Sequence, residues 1–356
     1  MSQEKLPRAM PAVARNYIAK ILSVYGIDEE SAKSVAELMV RADLLGGDGH
    51  GLFRLPSYVK RLKAGGYNTN PSITIDRDNG GAVRVDGDNA MGHLVVRQCV
   101  EIAMERASKH GVAWVGCHHS NHAGIAGSYA LMPTEKDMVG IYVAVGSANH
   151  MAPWGGTDLL LSTNPIAIGV PGGEDGPVLL DMATTEVAYG KVKLAAQRGE
   201  TMPEGWMIDA QGSPLTDPTN TGGGSLLPIG GAKGYGLALM FGILAGTLNG
   251  AAFGQDLVDF NSDFETTTNT GQFIIVADVK CFMDPSLFKS QIDQIRKEMT
   301  SSPLRPGFDS IRLPGERSLR LEQERTRNGI PLRPELLTAL LPVSEAAGVP
   351  ALENWV

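Results

Sequence analysis

An α/β core with helical ends is the fold class this sequence predicts, and three regimes of hydrophobic patterning predict it. Residues 1–70 carry apolar side chains at helical spacing, residues 71–310 alternate β-rich runs with helices, and residues 311–356 form a tail that returns to the helical region. The chain is long enough to bury a sizeable core.

In chain order, residues 12–25 have the apolar spacing of a helix. Asp28 suits the N-cap of a second helix over 29–45, with Glu29 and Glu30 in the first turn, where the helix dipole favours acids. Strands follow at 82–85, 112–115, 139–145, 178–180 and 273–277, each rich in valine or isoleucine and bounded by turn residues. Helices are expected between them at 95–109 and 233–248, and beyond Gly307 and Pro314 at 333–347. Residues 237–253 are the most apolar stretch, but Gly242, Gly246, Asn249 and Gly250 interrupt it. The run falls short of the ~20 residues that a bilayer span requires, so a buried core helix is expected and no membrane partner.

Composition narrows the function classes. Hydrophobic residues at 43% and charged residues at 20% describe a globular chain. A formal charge of −8, without any run of lysine and arginine, argues against a nucleic-acid partner. Cys99, Cys117 and Cys281 form no C-x-x-C pair, and the first residues lack the apolar core of a signal peptide. Both point to a cytoplasmic, reducing location.

The chemistry is concentrated at residues 43–58, DLLGGDGHGLFRLPSY, where His50, Arg54 and Tyr58 stand close together beside glycines 46, 47, 49 and 51. Imidazole titrates near neutrality and suits acid–base work, and a guanidinium clamps a carboxylate through paired N–H bonds. A glycine-rich turn lets a ligand approach the backbone. No G-x-G-x-x-G follows an expected strand and no P-loop is present, so neither nucleotide fold can be claimed from motif. The GAKGYG run at 231–236 opens the apolar helix and adds the Lys233 ammonium; it reads either as an anion-binding helix N-terminus or as close packing at helix entry. His118, His119 and His122 have spacings that could grip a metal on a helix. No acidic or thiol ligand follows nearby and Gly124 and Gly127 weaken a helix there, so no metal is expected.

These blocks, in order, resemble the malate/L-lactate dehydrogenase-like oxidoreductases, whose members include ureidoglycolate and sulfolactate dehydrogenases and diketogulonate and Δ1-piperideine-2-carboxylate reductases. The 43–58 segment resembles the family motif A-D-x-x-G-x-D-S-H-G-x-x-R-x-x-x-Y. Further matches are SNHAG at 120–124, APWGG at 152–156, TNP at 163–165, DMATT at 181–185, GK at 190–191, GAKGYG at 231–236, NTGQ at 269–272 and PGE at 314–316. The resemblance covers roughly residues 10 to 350.

It implies a non-Rossmann NAD(P)-binding core with a largely antiparallel sheet, usually a homodimer, that binds NAD or NADP without the Rossmann fingerprint. It implies hydride transfer between nicotinamide and a small 2-hydroxy or 2-oxo carboxylate, or reduction of a cyclic imino acid on the same scaffold. His50 and His122 are the proton-transfer pair, either of which could act as general acid; Asp181 would orient His50, and Arg54 would hold the substrate carboxylate. Tyr58 and Asn121 would complete the polar lining, while Asn149 and His150 could meet a substrate substituent. The dinucleotide would lie along Asp181, Met182, Ala183, Thr184 and Thr185, Lys233 and Gly234, and Pro314, Gly315 and Glu316, with hydroxyls offered by Thr184 and Thr185 and with Glu316 accepting from the ribose hydroxyls. The chain departs from the motif at Gly49, where most relatives have serine before the histidine. Two other classes remain open from sequence: a Schiff-base lyase using Lys191 or Lys233, and a non-catalytic binding protein on an enzyme fold.

Overall fold

The computed structural model describes residues 6–355. Its centre is a seven-stranded sheet of β1 (Thr74–Asn79), β2 (Ala82–Asp86), β3 (Val112–Ser120), β4 (Met138–Ala144), β5 (Ile166–Val170), β6 (Val178–Met182) and β7 (Thr270–Asp278). The order across the sheet is β1-β2-β3-β7-β4-β5-β6, and only the β2–β3 pair is parallel. The mixed α/β, mostly antiparallel core is therefore present. The five strands read from sequence all occur, β3 and β7 running longer than expected because their polar ends continue the ladder.

Helices cover both faces of the sheet. On one lie α4 (Gly92–His110) and the short α5 (Ala126–Leu131), sharing a core with Val83, Val85, Val115 and Ile274. On the other lies α7 (Ala232–Ala245), whose Ala245 packs with Val143, Val145 and Phe273. Between α5 and α7 in sequence, α6 (Tyr189–Arg198) packs with a three-stranded ribbon centred on Met207–Ile208. Along α7 only small residues (Gly234, Ala238, Gly242, Ala245) are buried, while Leu237, Met240 and Ile243 face solvent. Among the described residues no helix is long and apolar enough to cross a membrane.

A separate apolar core joins the chain's two ends. Helices α1 (Pro11–Val24), α2 (Glu29–Leu44) and α3 (Leu55–Lys63) share it with α10 (Pro334–Ala347) through Tyr17, Ile18, Met39, Tyr58 and Leu340. Arg8 and Ala9 pair with Pro331 and Ile330 as a small antiparallel ribbon. Asp28 caps α2 by accepting from Ser31 N–H. Sequence patterning missed α8 (Pro285–Thr300), which has no buried residue, and α9 (Glu316–Asn328), which is polar around almost its whole circumference. α9 lacks the apolar stripe by which a helix is recognised, whereas α8 does carry one, at Phe288, Ile292, Ile295 and Met299, which the sequence reading passed over.

Candidate active site

α2 ends at Leu44, and two successive 3-10 turns, Asp48–His50 and Leu52–Arg54, carry the chain into α3. Each turn thus ends on a functional side chain. The loop is seated on Asp43, a buried carboxyl on the last turn of α2 that accepts Leu52 N–H at 2.9 Å. A Cβ on Gly51 would sit 2.1 Å from the Asp43 carboxyl carbon, so only glycine fits over it. Burial pushes the Asp43 carboxyl up to about 8, against the Leu52 hydrogen bond. Arg325 from α9 bonds the Asp43 carbonyl and the Asp48 carboxylate, tying the loop to the C-terminal helices.

His50 and His122 stack almost parallel, 5.4 Å between centroids and 10° between planes. The Tyr58 hydroxyl lies 2.7 Å from His122 Nδ1, and Gly124 N–H points at the same nitrogen from 3.4 Å. A backbone N–H can only donate, so Nδ1 is the acceptor and the ring proton resides on Nε2. Burial, with the charge of Arg54 next, holds His122 well below the usual histidine range. His50 is lowered to about 4 by the same two causes in the same order. Its Nδ1 is buried without a protein partner, which leaves Nε2 as the ring nitrogen open to solvent.

Arg54 donates from Nε to the Gly49 carbonyl at 3.1 Å and from Nη1 to Asn261 Oδ1 at 2.9 Å. Nη2 remains open for an anion. Asn261 and its neighbour Phe260 come from a loop fastened by the buried Arg61, which donates to the carbonyls of Gly66, Asp263 and Thr266. Phe260 packs against both Tyr58 and His122. A third imidazole, His93 of α4, is fully buried against Tyr58, and burial lowers it to about 3. Sequence reasoning missed Asp43 as a support, His93, Phe260 and Asn261; the last three lie outside the family blocks and gave no local signal.

Several expected roles need correction. Asp181 does not orient His50: its Oδ2 accepts Gly127 N–H at 2.7 Å, at the start of α5. It is solvent-accessible yet surrounded by protein atoms, and desolvation raises it to about 6. Asn121 does not line the site. It is wholly buried and uses its amide to join Asn89, Ala90 and Thr268 beneath the SNHAG turn. The hydroxyls of Thr184 and Thr185 are buried and donate to the carbonyls of Thr163 and Val187, leaving no free donor for a phosphate. Glu316 accepts from Leu313 N–H and pairs with Arg320, so its oxygens are already engaged. His118 and His119 lie on Asp76 and Asp86 rather than with His122.

The segments expected to hold a dinucleotide do form one strip. Gly315 abuts Leu179, two residues before Asp181 on β6; Met182 and Ala183, both half-buried, continue to Thr184, whose carbonyl accepts Ile229 N–H. Gly230 N–H reaches Glu186, and Trp154 lies against Gly231. Gly231 takes φ +66 at the N-terminus of α7, Gly234 packs against the Ile229 carbonyl, and Lys233 is exposed beside it. Asn149 donates to the Gly254 carbonyl, and His150 stacks on Tyr189, 4.6 Å between centroids and 5° between planes, near enough to Arg54 to feel its charge.

Two stacked imidazoles beside an arginine, and a helix N-terminus that opens on a positive-φ glycine with an exposed lysine next to it, are the groups that an acid–base enzyme for a small anion would use. Residues 10–341 match the family model described as malate/L-lactate dehydrogenase. The chain is 37% identical over 345 residues to malate dehydrogenase of Pyrococcus horikoshii (95% of this chain, 94% of that one). It is also 37% identical over 337 residues to L-sulfolactate dehydrogenase of Methanothermobacter thermautotrophicus (95% and 96%). The solved structure of the Pyrococcus horikoshii enzyme aligns with TM-score 0.90 at 34% identity, covering 98% of both chains. Δ1-piperideine-2-carboxylate reductase from Pseudomonas syringae aligns with TM-score 0.83 at 27% identity, covering 95% of this chain and 99% of that one. The chain belongs to the malate/L-lactate dehydrogenase family. It is an oxidoreductase of the hydroxy-acid dehydrogenase type.

Proposed function

We propose that this enzyme interconverts a small 2-hydroxy and 2-oxo carboxylate with NAD or NADP, using His50 as the proton-transfer group, His122 as the hydrogen-bond donor to the reacting oxygen, and Arg54 as the carboxylate anchor. The observation that carries the reading is the parallel pair of His50 and His122 beside Arg54. One imidazole is fixed as an Nε2–H donor, and the other opens its Nε2 to the cleft.

The strip from residues 314–316 through 181–185 to 231–234 fits a dinucleotide held outside the Rossmann pattern. Backbone N–H groups at the α7 N-terminus and the Lys233 ammonium suit a diphosphate, and the strand that carries Asp181 and Met182 runs on to Thr184, whose carbonyl accepts Ile229 N–H just before α7. Bound nicotinamide would supply or accept the hydride. In reduction, Arg54 draws the carboxylate in through Nη2, His122 Nε2–H polarises the carbonyl oxygen, and His50, neutral before substrate binds, takes a proton from solvent at Nε2 and passes it to that oxygen. In oxidation, neutral His50 takes the hydroxyl proton. Tyr58 holds His122, and half-buried Asn149 and His150 border the substrate side.

The same groups would protonate nitrogen instead of oxygen, so reduction of a cyclic imino acid is the second reading; the likeness to Δ1-piperideine-2-carboxylate reductase favours it. The Schiff-base alternative has little support, because Lys191 and Lys233 are both exposed and no apolar pocket desolvates either amine. A homodimer formed through the apolar outer face of α7 (Leu237, Met240, Ile243) is part of the proposal, as is a cytoplasmic location, consistent with free Cys99, Cys117 and Cys281. The division at residues 70 and 310 into helical ends and a non-Rossmann core is proposed on the apolar core that the two chain ends share, which Met91 and Phe260 of the middle segment also enter.

The test is a panel of 2-oxo acids and cyclic imines followed at about 340 nm, the absorbance band of the reduced cofactors, with NADH and NADPH, alongside calorimetric titration of each nucleotide. His50→Ala and His122→Ala should bind nucleotide normally, and at least one should lose roughly 10²-fold or more in turnover. Two variants with near wild-type turnover would place the chemistry elsewhere, and absence of nucleotide binding would end the reading.

A further inference from the structure

Consecutive side chains of a strand point to opposite faces, yet the rings of His118 and His119, the penultimate pair of β3, lie side by side with centroids 4.2 Å apart. The cause is a left-handed backbone at His119, φ +46, where a side chain other than glycine is strained. The surroundings enforce it. His119 N–H donates to Asn269 Oδ1 at 2.7 Å, its carbonyl accepts Asn89 N–H at 2.8 Å, and the His118 carbonyl accepts Gly87 N–H at 3.0 Å.

The acidic partner that sequence spacing did not supply comes from the neighbouring strands. β2 runs parallel to β3 with Asp86 opposite His118. Its Oδ1 lies 3.0 Å from His119 Nδ1, and Asp76 Oδ2 of β1 lies 3.0 Å from His118 Nε2. One ring nitrogen from each histidine and a carboxylate oxygen of Asp86 all lie within 4.8 Å of one another. Asp76 is also clamped by Arg84, 2.6 Å from Nη2 to Oδ2, whereas Asp86 uses Oδ1 to accept Asp88 N–H at 2.9 Å and keeps Oδ2 without a partner among the described residues, so Asp86 is the carboxylate able to face a cation.

We propose that His118, His119 and Asp86 form a binding site for a zinc-class divalent metal at the end of the sheet, separate from the His50–His122 pair. Two imidazoles and one carboxylate are a donor set that zinc and its late first-row neighbours accept, with water completing the shell. Asp76 acts as the outer carboxylate that fixes the His118 ring, the arrangement metal-bound histidines usually show. A metal there joins β2 to β3 where both strands end, so its role is to fasten that end of the sheet; the hydride chemistry does not need it.

The test is calorimetric titration of the chelator-treated full-length protein with zinc, paired with thermal melts. One equivalent per chain with micromolar affinity and a raised Tm is expected. His119→Asn, whose side chain tolerates a left-handed backbone, and Asp86→Asn should each abolish that isotherm. Asp76→Asn should weaken it by about 10-fold or more, and His50→Ala should leave it intact. Zinc binding that survives both His119→Asn and Asp86→Asn, that disappears in His50→Ala, or that fails to saturate below millimolar zinc overturns the proposal. If His119→Asn does not fold, Asp86→Asn alone decides, since it changes one atom of a half-exposed side chain.

Discussion

The Tyr58 hydroxyl sits 2.7 Å from His122 Nδ1, and both side chains are buried. With Gly124 N–H directed at the same nitrogen, the hydroxyl acts as a second donor to Nδ1, and the ring proton stays on Nε2. Burial also pushes the Tyr58 phenol upward, so it stays protonated as a donor at any pH the enzyme meets. Tyr58→Phe removes one hydrogen bond and little volume. Turnover should fall on the order of tenfold, the value of one such bond, with nucleotide affinity unchanged. Nitrogen-15 chemical shifts of His122 should then show a mixture of tautomers; an unmixed Nε2–H tautomer with full activity would mean that Gly124 N–H suffices.

Arg54→Lys tests the carboxylate anchor. Two of the guanidinium's edges are fixed by Gly49 and Asn261, which aims the remaining N–H groups; a lysine offers neither the fork nor those tethers. A charge-assisted pair contributes about 1.5–3 kcal/mol, so KM for a 2-oxo acid should rise on the order of tenfold to a hundredfold, with a smaller change in kcat. An unchanged KM would show that another group binds the carboxylate.

How far the sequence reached can be read from these residues. His50, Arg54, Tyr58 and His122 were visible because their chemistry is unusual and their spacing follows a motif, and the structure brings all four together. The strands were visible through valine and isoleucine content. Asp181, Asn121 and the 184–185 threonines were assigned from polarity and position in motif blocks, but polarity does not say whether a group faces a ligand or a backbone donor. Asn121 and the threonines turn out to satisfy the backbone. Asn261 and Phe260 come to the site across some two hundred residues of sequence, through contacts made by Arg61 that no local pattern encodes.

His93 predicts a pH-dependent stability. Its folded value of about 3 lies below the unfolded 6.5, so between those values the unfolded chain holds a proton that the folded chain lacks. The contribution is complete above pH 6.5 and is lost as pH falls through that window, at about 1.4 kcal/mol per unit. His50 has the same sign; Asp43 and Asp181, both raised, have the opposite one and lose stability as pH rises. Comparing wild type with His93→Leu isolates one group. The fall in Tm between pH 7.5 and about pH 5 should be smaller in the variant, and equal slopes would mean that His93 is protonated within the folded protein.

Gly49 adjoins His50 where the family motif has serine, and a Cβ built there meets nothing within 4 Å. The backbone at Gly49 is not left-handed, so no strain requires glycine. Its carbonyl receives Arg54 Nε, so Gly49 adjoins His50 in sequence and Arg54 in space. The room left there suits a substrate that brings its own polar substituent or more bulk than malate or lactate, and half-buried His150 adds a polar group on that side. The enzyme should therefore be poor with pyruvate and oxaloacetate relative to larger oxo acids or imines. Gly49→Ser should fold normally and raise kcat/KM for the small acids relative to the large ones, because its hydroxyl can bond the substrate or orient His50. If the wild type already prefers pyruvate, or the serine variant leaves the ratio of specificities unchanged, the open space beside His50 does not select the substrate.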